Sequence, residues 1–449
     1  MNIYRILHAG YIFEADGVRI AMDPIFENPF SGNCYAFPAV QFDTSAIAQQ
    51  QFDAVFLSHY HDDHCSLESL NHLKRSTPIY LYCRYSELFD WLAQLGFTAV
   101  HGLALNVSVA IGPMTVTPRR ALDADIDSIL QIECDGLKVL NVGDAWIDDQ
   151  TLAQLADLAP WDLLLWPFQT MREIEVLDPR RSDKANGEIP PEWPPQLQKL
   201  NPRYLVPSAC QFRHEAWSWY QQEFFPISYS GFAKRMRTVL SQARLVRLNP
   251  GLGFRLDEAG LTPLERLPWV APIGDQDVDF GYDPVATAPT TEDVAKNFGR
   301  LTDTQRARVA DYVQTELGPK LESLEAPQGD FFAGPWRWCL RIWDTNGEMM
   351  SAQFQVQGAK VSPVTPTENF DWLTEIPAAT LFGILENGQS LSASYIRVND
   401  CIYSPEHEQQ IAATDVLEDP LIRALFTVPF GAYQRAQLQR LQSLQGLSL

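Results

Sequence analysis

Scarcity narrows the function of this chain before any motif is considered. Its seven cysteines, at positions 34, 65, 83, 134, 210, 339 and 401, are odd in number, scattered, and form no CxxC pair. That spacing excludes a disulfide framework and argues against a zinc knuckle or an iron–sulfur cluster. No apolar run approaches the roughly 20 residues that span a bilayer, and the opening Met1-Asn2-Ile3-Tyr4-Arg5-Ile6 lacks a signal-peptide pattern. A cytoplasmic protein with no membrane partner is the expectation. Positive charge is scarce too: 34 Lys plus Arg face 56 Asp plus Glu, a formal charge of -22. Such a surface repels phosphate backbones, so nucleic acid is not expected as a partner. A small anionic substrate stays open, because a local Arg or a metal ion reverses the field inside a pocket.

Apolar residues, by contrast, are plentiful. The 449 residues are 46% hydrophobic, with 12 Trp, 15 Tyr and 24 Phe, enough for two or three cores. A hairpin opens the chain: residues 3–7, the turn His8-Ala9-Gly10, a strand through Ala15, Asp16-Gly17, and a returning strand that ends at Asp23-Pro24. Asp53-Ala54-Val55-Phe56-Leu57-Ser58 then reads as a short buried strand. Helices are expected over 66–74, 84–95, 150–158 and 214–223, and strands over 78–82, 98–102, 105–117, 128–134, 137–142, 162–166 and 204–207. Strands paired into sheets with helices outside them give an α/β fold. The pattern divides into a first domain at 1–265, a Pro-, Gly- and Asp-rich connector at 266–290, and an α+β domain at 291–449. In the last of these, 291–323 is helical in pattern behind Thr290 or Thr291, and 336–361 and 378–406 contain alternating, strand-like runs.

The strand at 53–58 delivers His59-Tyr60-His61-Asp62-Asp63-His64. On a helix His59 and His61 would diverge by about 200°, whereas a tight loop turns His59, His61, Asp63 and His64 toward one point. Imidazole suits zinc or iron, and Asp63 adds a harder oxygen donor and charge neutralisation. Two adjacent sites follow, His59 with His61 and Asp63 with His64.

The string resembles the HxHxDH signature of the metallo-β-lactamase-fold superfamily. Leu140-Asn141-Val142-Gly143-Asp144 is similar to that family's strand-to-Gly-Asp element, and the resemblance implies that Asp144 bridges two metals. His8-Ala9-Gly10 and Asp23-Pro24 resemble its opening hairpin and are expected to shape the pocket floor. The implied architecture is an αββα sandwich followed by a smaller C-terminal α+β domain.

The chain departs from the family pattern at two places. The histidine that the family supplies between the cluster and Gly-Asp is missing from 117–125, where Asp123 and Asp125 are both candidates to replace it. The late histidine is missing from Val206-Pro207-Ser208-Ala209-Cys210. Cys210 and His214 are candidate ligands in its place, and one helical turn over 210–214 would put them on a common face. A further similarity, carried by Pro207-Ser208-Ala209-Cys210-Gln211-Phe212, Phe225-Pro226-Ile227-Ser228 and Asp419-Pro420-Leu421, is to the CMP-N-acetylneuraminate hydroxylase-like branch. Its relatives carry a Rieske domain, whose paired CxH and CxxH ligands this chain lacks. The stretch from Asp371-Trp372-Leu373 to Tyr395-Ile396-Arg397-Val398 resembles a sterol-carrier-like or substrate-covering module.

The expected function is a metal-dependent hydrolase acting on a small molecule, with one or two divalent ions, zinc ahead of iron. Asp63 is the candidate catalytic residue, orienting the attacking water, and Arg119 or Arg120 is a candidate anchor for a substrate anion. Two alternatives are an iron oxygenase with a separate redox partner and a non-catalytic ligand-binding or assembly protein with a degenerate site. A homodimer stays open.

Overall fold

The computed structural model describes residues 1–169, 172–179, 187–220, 227–283, 285–325, 335–398, 415–427 and 430–444. The strand Ala54–Leu57 shows how the first half is built. All four of its residues are buried, and they alternate between two cores. Ala54 and Phe56 face Met22, Val116, Leu130, Ile132 and Leu163 between two sheets. Val55 and Leu57 face the opposite way, onto the helices Leu67–Asn71 and Ser86–Gln94. A strand covered on both faces reads as a continuous apolar run, and each large side chain so buried contributes roughly 1.5–3 kcal/mol.

The first sheet has eight strands in the order Leu261–Leu264, Gly253–Leu256, Asn2–Arg5, Tyr11–Ala15, Val18–Met22, Ala54–Leu57, Ile79–Leu81 and Val100–Gly102. The second has seven, in the order Arg244–Leu245, Pro202–Pro207, Trp161–Trp166, Leu137–Asn141, Ser128–Cys134, Met114–Arg120 and Val109–Ile111. Leu163 and Leu165 point into the inter-sheet core, while Leu164 and Trp166 pack outward with the helices Asp149–Asp157, Trp193–Leu200 and Tyr229–Val239. The layers are therefore helix, sheet, sheet, helix. A separate five-stranded sheet runs Lys360–Pro363, Met349–Gln357, Trp336–Trp343, Trp372–Pro377 and Arg397–Val398, and helix Ala378–Asn387 follows its fourth strand.

Three sequence expectations are corrected. Of the helix expected over 214–223, residues 214–219 hold turns and bends after the strand Phe212–Arg213, which pairs with Tyr35–Ala36, while Tyr220 is helical. The helical pattern at 291–323 is broken: Thr290 caps Thr291–Ala295, and Thr302 with Gln305 forms a capping box that starts Asp303–Asp311 afresh. The run at 378–398 is a helix, a 3-10 turn at Leu391–Ala393 and a two-residue strand. Cys401 and the rest of 399–406 lie outside the described residues, as do 221–223 and Phe225-Pro226. No helix among the described residues is long and apolar enough to cross a membrane.

Candidate metal centre

Strand Ala54–Leu57 ends in the inter-sheet sandwich, and its neighbour Val18–Met22 ends beside it at Asp23. Asp23 organises the loop that follows. One carboxylate oxygen accepts the Ser58 backbone N–H at 2.7 Å, and the other accepts the Ser58 hydroxyl at 2.7 Å and His64 Nδ1 at 3.0 Å. With its proton committed to Asp23, the Ser58 oxygen is free to accept from His59 Nδ1 at 3.0 Å. Both rings are thereby held with Nε2 directed inward, the tautomer that a metal ligand needs.

His8 has the opposite tautomer. The Cys210 backbone N–H donates to His8 Nδ1 at 3.1 Å, so the neutral ring carries its proton on Nε2. That nitrogen lies 3.0 Å from Asp63 Oδ2 and 3.2 Å from His64 Nε2. His8 thus donates to Asp63 and orients it. His8, Asp23 and Cys210 all take the left-handed backbone, at φ of 52°, 42° and 62°, a conformation costing of order 1–3 kcal/mol each. Strain of this kind concentrates where side chains must converge.

Two groups of donor atoms converge, His59, His61 and Asp63 in one and His8, Asp63, His64 and Asp144 in the other. The atoms of each group lie within 4.8 Å of one another, and Asp63 is common to both. Asp144 arrives through Gly143, whose φ of 65° suits glycine, and stands 3.2 Å from His64 Nε2. Asp127, at the start of strand Ser128–Cys134, completes the wall: its Oδ1 faces His59 Nε2 at 3.7 Å. Both atoms are buried and neither has a hydrogen-bond partner. A ring nitrogen and a carboxyl oxygen buried face to face at a distance too long for a hydrogen bond fit one cation with bonds of about 2.1 Å.

The electrostatics follow from burial. Desolvation alone would lower His64, but Asp144 and Asp63 outweigh it and raise it well above the usual imidazole value. Burial would raise Asp144 and Asp63, yet His64 wins and holds both below the carboxylate range. His59 is lowered well below the imidazole value by burial, then by His64 and His61. Asp127 is pushed up to about 7 by burial and by Asp144.

The site opens into a cavity of about 690 Å³, whose lining includes His59, His61, Asp127, Trp146 and Trp193. Ser390, Leu391 and Ser392 also line it, so the second half of the chain contributes to the wall. Of the sequence-derived candidates, His59, His61, Asp63, His64 and Asp144 are brought together. Cys210 lines the cavity but joins neither donor group, and it is its backbone N–H that bonds His8. His214 lines a different cleft with Arg213 and Asp279, and burial lowers it to about 3. The helical turn that would have aligned it with Cys210 is absent, because Cys210 takes a positive φ and a strand follows. Asp125 pairs with exposed Arg84, and Asp123 accepts a bond from the Asp125 backbone, so neither occupies the missing-histidine position. Arg119 bonds Gln131 and Asn106, Arg120 faces Asp148, and neither lines the cavity.

Residues 2–186 match the family model described as Beta-lactamase superfamily domain. No curated protein sequence matches the chain. Among solved structures, Igni18, a novel metallo hydrolase from the archaeon Ignicoccus hospitalis, is 16% identical over 57% of this chain and 99% of its own, with a TM-score of 0.40. CmlA, a diiron β-hydroxylase from Streptomyces venezuelae, is 16% identical over 59% of this chain and 54% of its own, with a TM-score of 0.39. YhfI, a metallo-β-lactamase fold protein from Bacillus subtilis, is 15% identical over 57% and 99%, with a TM-score of 0.38. The family match over residues 2–186, the two-sheet sandwich and the His/Asp cluster at its strand ends together give the first part of the chain the metallo-β-lactamase fold.

Proposed function

We propose that this chain is a metal-dependent hydrolase of a small molecule, with His59, His61, Asp63, His64, Asp127 and Asp144 as the ligands of one or two divalent ions. The observation that carries this reading is the buried, unbonded pair of His59 Nε2 and Asp127 Oδ1, set in a site whose histidine tautomers are fixed from behind. When bound, the metal would activate a water molecule and polarise the scissile bond. The protein's share is to present a neutral nitrogen from His59 beside the His61 ring, to aim Asp63 through His8, and to screen the site with Trp146 and Trp193.

Metal analysis of protein purified without added metal, paired with hydrolysis assays on ester, amide and phosphodiester panels, tests this. The expected result is one or two ions per chain and turnover that disappears in Asp63→Asn. Metal-free protein whose Nε2 atoms titrate as ordinary imidazoles would overturn it.

One observation favours a second reading. His59, His61 and the carboxylate of Asp63, whose donor atoms lie within 4.8 Å of one another, make a two-histidine, one-carboxylate set of the kind that non-haem iron oxygenases use. Bound iron, with oxygen consumption dependent on an added electron donor and no hydrolysis, would select it.

A further inference from the structure

We infer that the helix Ala432–Leu444 is a positioning element of the metal centre and that Gln434 is the residue through which it acts; this rests on metal binding by the loop, not on hydrolysis. Gln434 Nε2 donates to the Tyr60 carbonyl at 2.7 Å and to the Cys65 carbonyl at 2.9 Å. Both of its amide hydrogens are spent on the two ends of one short segment, and His61, Asp63 and His64 lie between those ends. One turn on, Gln437 Nε2 donates to Ser66 Oγ at 2.9 Å and its Oε1 accepts the Leu67 N–H at 2.8 Å. The ligand loop is thus gripped from outside by a helix some 370 residues later in the chain.

The helix uses its apolar and polar residues differently. Leu438 and Leu441 pack into the core shared with Leu67, Leu70, Leu88 and Leu92. Such packing is strong but non-directional. Gln434 and Gln437 are 2% and 0% exposed, positions where leucine would pack as well. A buried amide is tolerated only when bonded, and a fully bonded one fixes a single register. Phe430, just before the helix, stacks on Tyr85 at 4.0 Å and meets Tyr60 edge-on at 4.7 Å, adding a second hold on the same loop. Inside the loop, the bonds of His64 and Cys65 to the His61 carbonyl form one turn, and Gln434 ties that turn to the rest of the protein.

The test uses the full chain carrying Gln434→Leu, Gln434→Asn or, as a control on the same helix, Arg440→Ala, which removes only the partly exposed pair with Glu68. The readouts are Zn(II) affinity by chelator competition, the absorption spectrum of the Co(II)-loaded protein, and the melting temperature without metal. Gln434→Leu is expected to weaken Zn(II) binding about 10- to 100-fold and to change the Co(II) bands, with Gln434→Asn intermediate and Arg440→Ala unchanged. A lowered melting temperature with wild-type affinity and a wild-type Co(II) spectrum would overturn the inference. Should Gln434→Leu fail to fold, unchanged affinity in Gln434→Asn overturns it alone. Wild-type protein that binds metal without hydrolysing anything defeats the proposed hydrolase and leaves this inference standing on the variants; wild-type protein that binds no metal defeats both.

Discussion

Around His64, ligand atoms find partners within the protein: Asp23 at 3.0 Å on one side of the ring, Asp144 at 3.2 Å on the other, and Asp63 held in turn by His8. A few ångströms away, His59 Nε2 and Asp127 Oδ1 face each other across 3.7 Å with no hydrogen bond to either. The same loop supplies both histidines, so the difference lies in what surrounds them. Two carboxylates draw a proton onto His64, which makes the imidazolium a stand-in cation. Burial and the neighbouring imidazoles keep a proton off His59. One half of the cluster is thus satisfied within the protein, and the other leaves two buried atoms unsatisfied, as the proposed metal site requires.

Substituting the two histidines separates these roles most sharply. His64→Ala should destroy metal binding and also destabilise the metal-free protein by about 3–5 kcal/mol, the cost of leaving buried charges unpaired. His59→Ala should weaken metal binding comparably but cost the metal-free protein only about 1 kcal/mol for the lost Ser58 bond. Urea titrations of both variants under chelator measure the contrast. Equal destabilisation would show that His64 is not the hub of an ion-pair network.

The next effect is on pH dependence. Metal binding must displace the proton that His64 carries and the one that Asp127 carries below about 7. Because the metal-free state binds these protons and the loaded state does not, affinity rises with pH through neutrality. Asp127→Asn should bind metal more weakly throughout and lose about half a proton's worth of slope at pH 7, rising toward one at pH 6, as read from chelator competition between pH 6 and 8. An unchanged slope would remove Asp127 from the centre.

These contrasts also mark what was legible in sequence. The strand into His59 and the tight HxHxDH spacing were readable because ligands close in sequence need only one turn to converge. The Gly-Asp element was readable through its resemblance to the family motif, and the φ of 65° at Gly143 gives the physical reason for its glycine. Asp127 was not, for Asp123 and Asp125 stand in the same acidic stretch. The turn in which Ile126 and Asp127 donate to the Asp123 carbonyl sets which acid faces inward, and alternating acids give no phase. Gln434 lay further out of reach, since its partners are carbonyls some 370 residues away and a buried glutamine on a helix has no sequence signature. His214 failed for the reverse reason: it was read through a helix that the strand Phe212–Arg213 pre-empts.

His214 extends the comparison to a third buried imidazole, one on which burial outweighs a backbone hydrogen bond at Asn33. Burial lowers it to about 3, against about 6.5 in the unfolded chain. Between those values the unfolded state binds more protons than the folded state, so stability rises with pH there. The stabilisation is fully present above about pH 6.5 and is lost as pH falls toward 3, with a slope approaching 1.4 kcal/mol per pH unit. His214→Gln keeps a polar group of similar reach but cannot titrate. Its unfolding free energy should therefore fall less steeply than that of the wild type between pH 6.5 and 4, in metal-free protein followed by urea denaturation. Metal affinity at pH 7.5 should not change. Parallel curves would mean that His214 charges inside the fold, and a loss of metal affinity would return it to the ligand set.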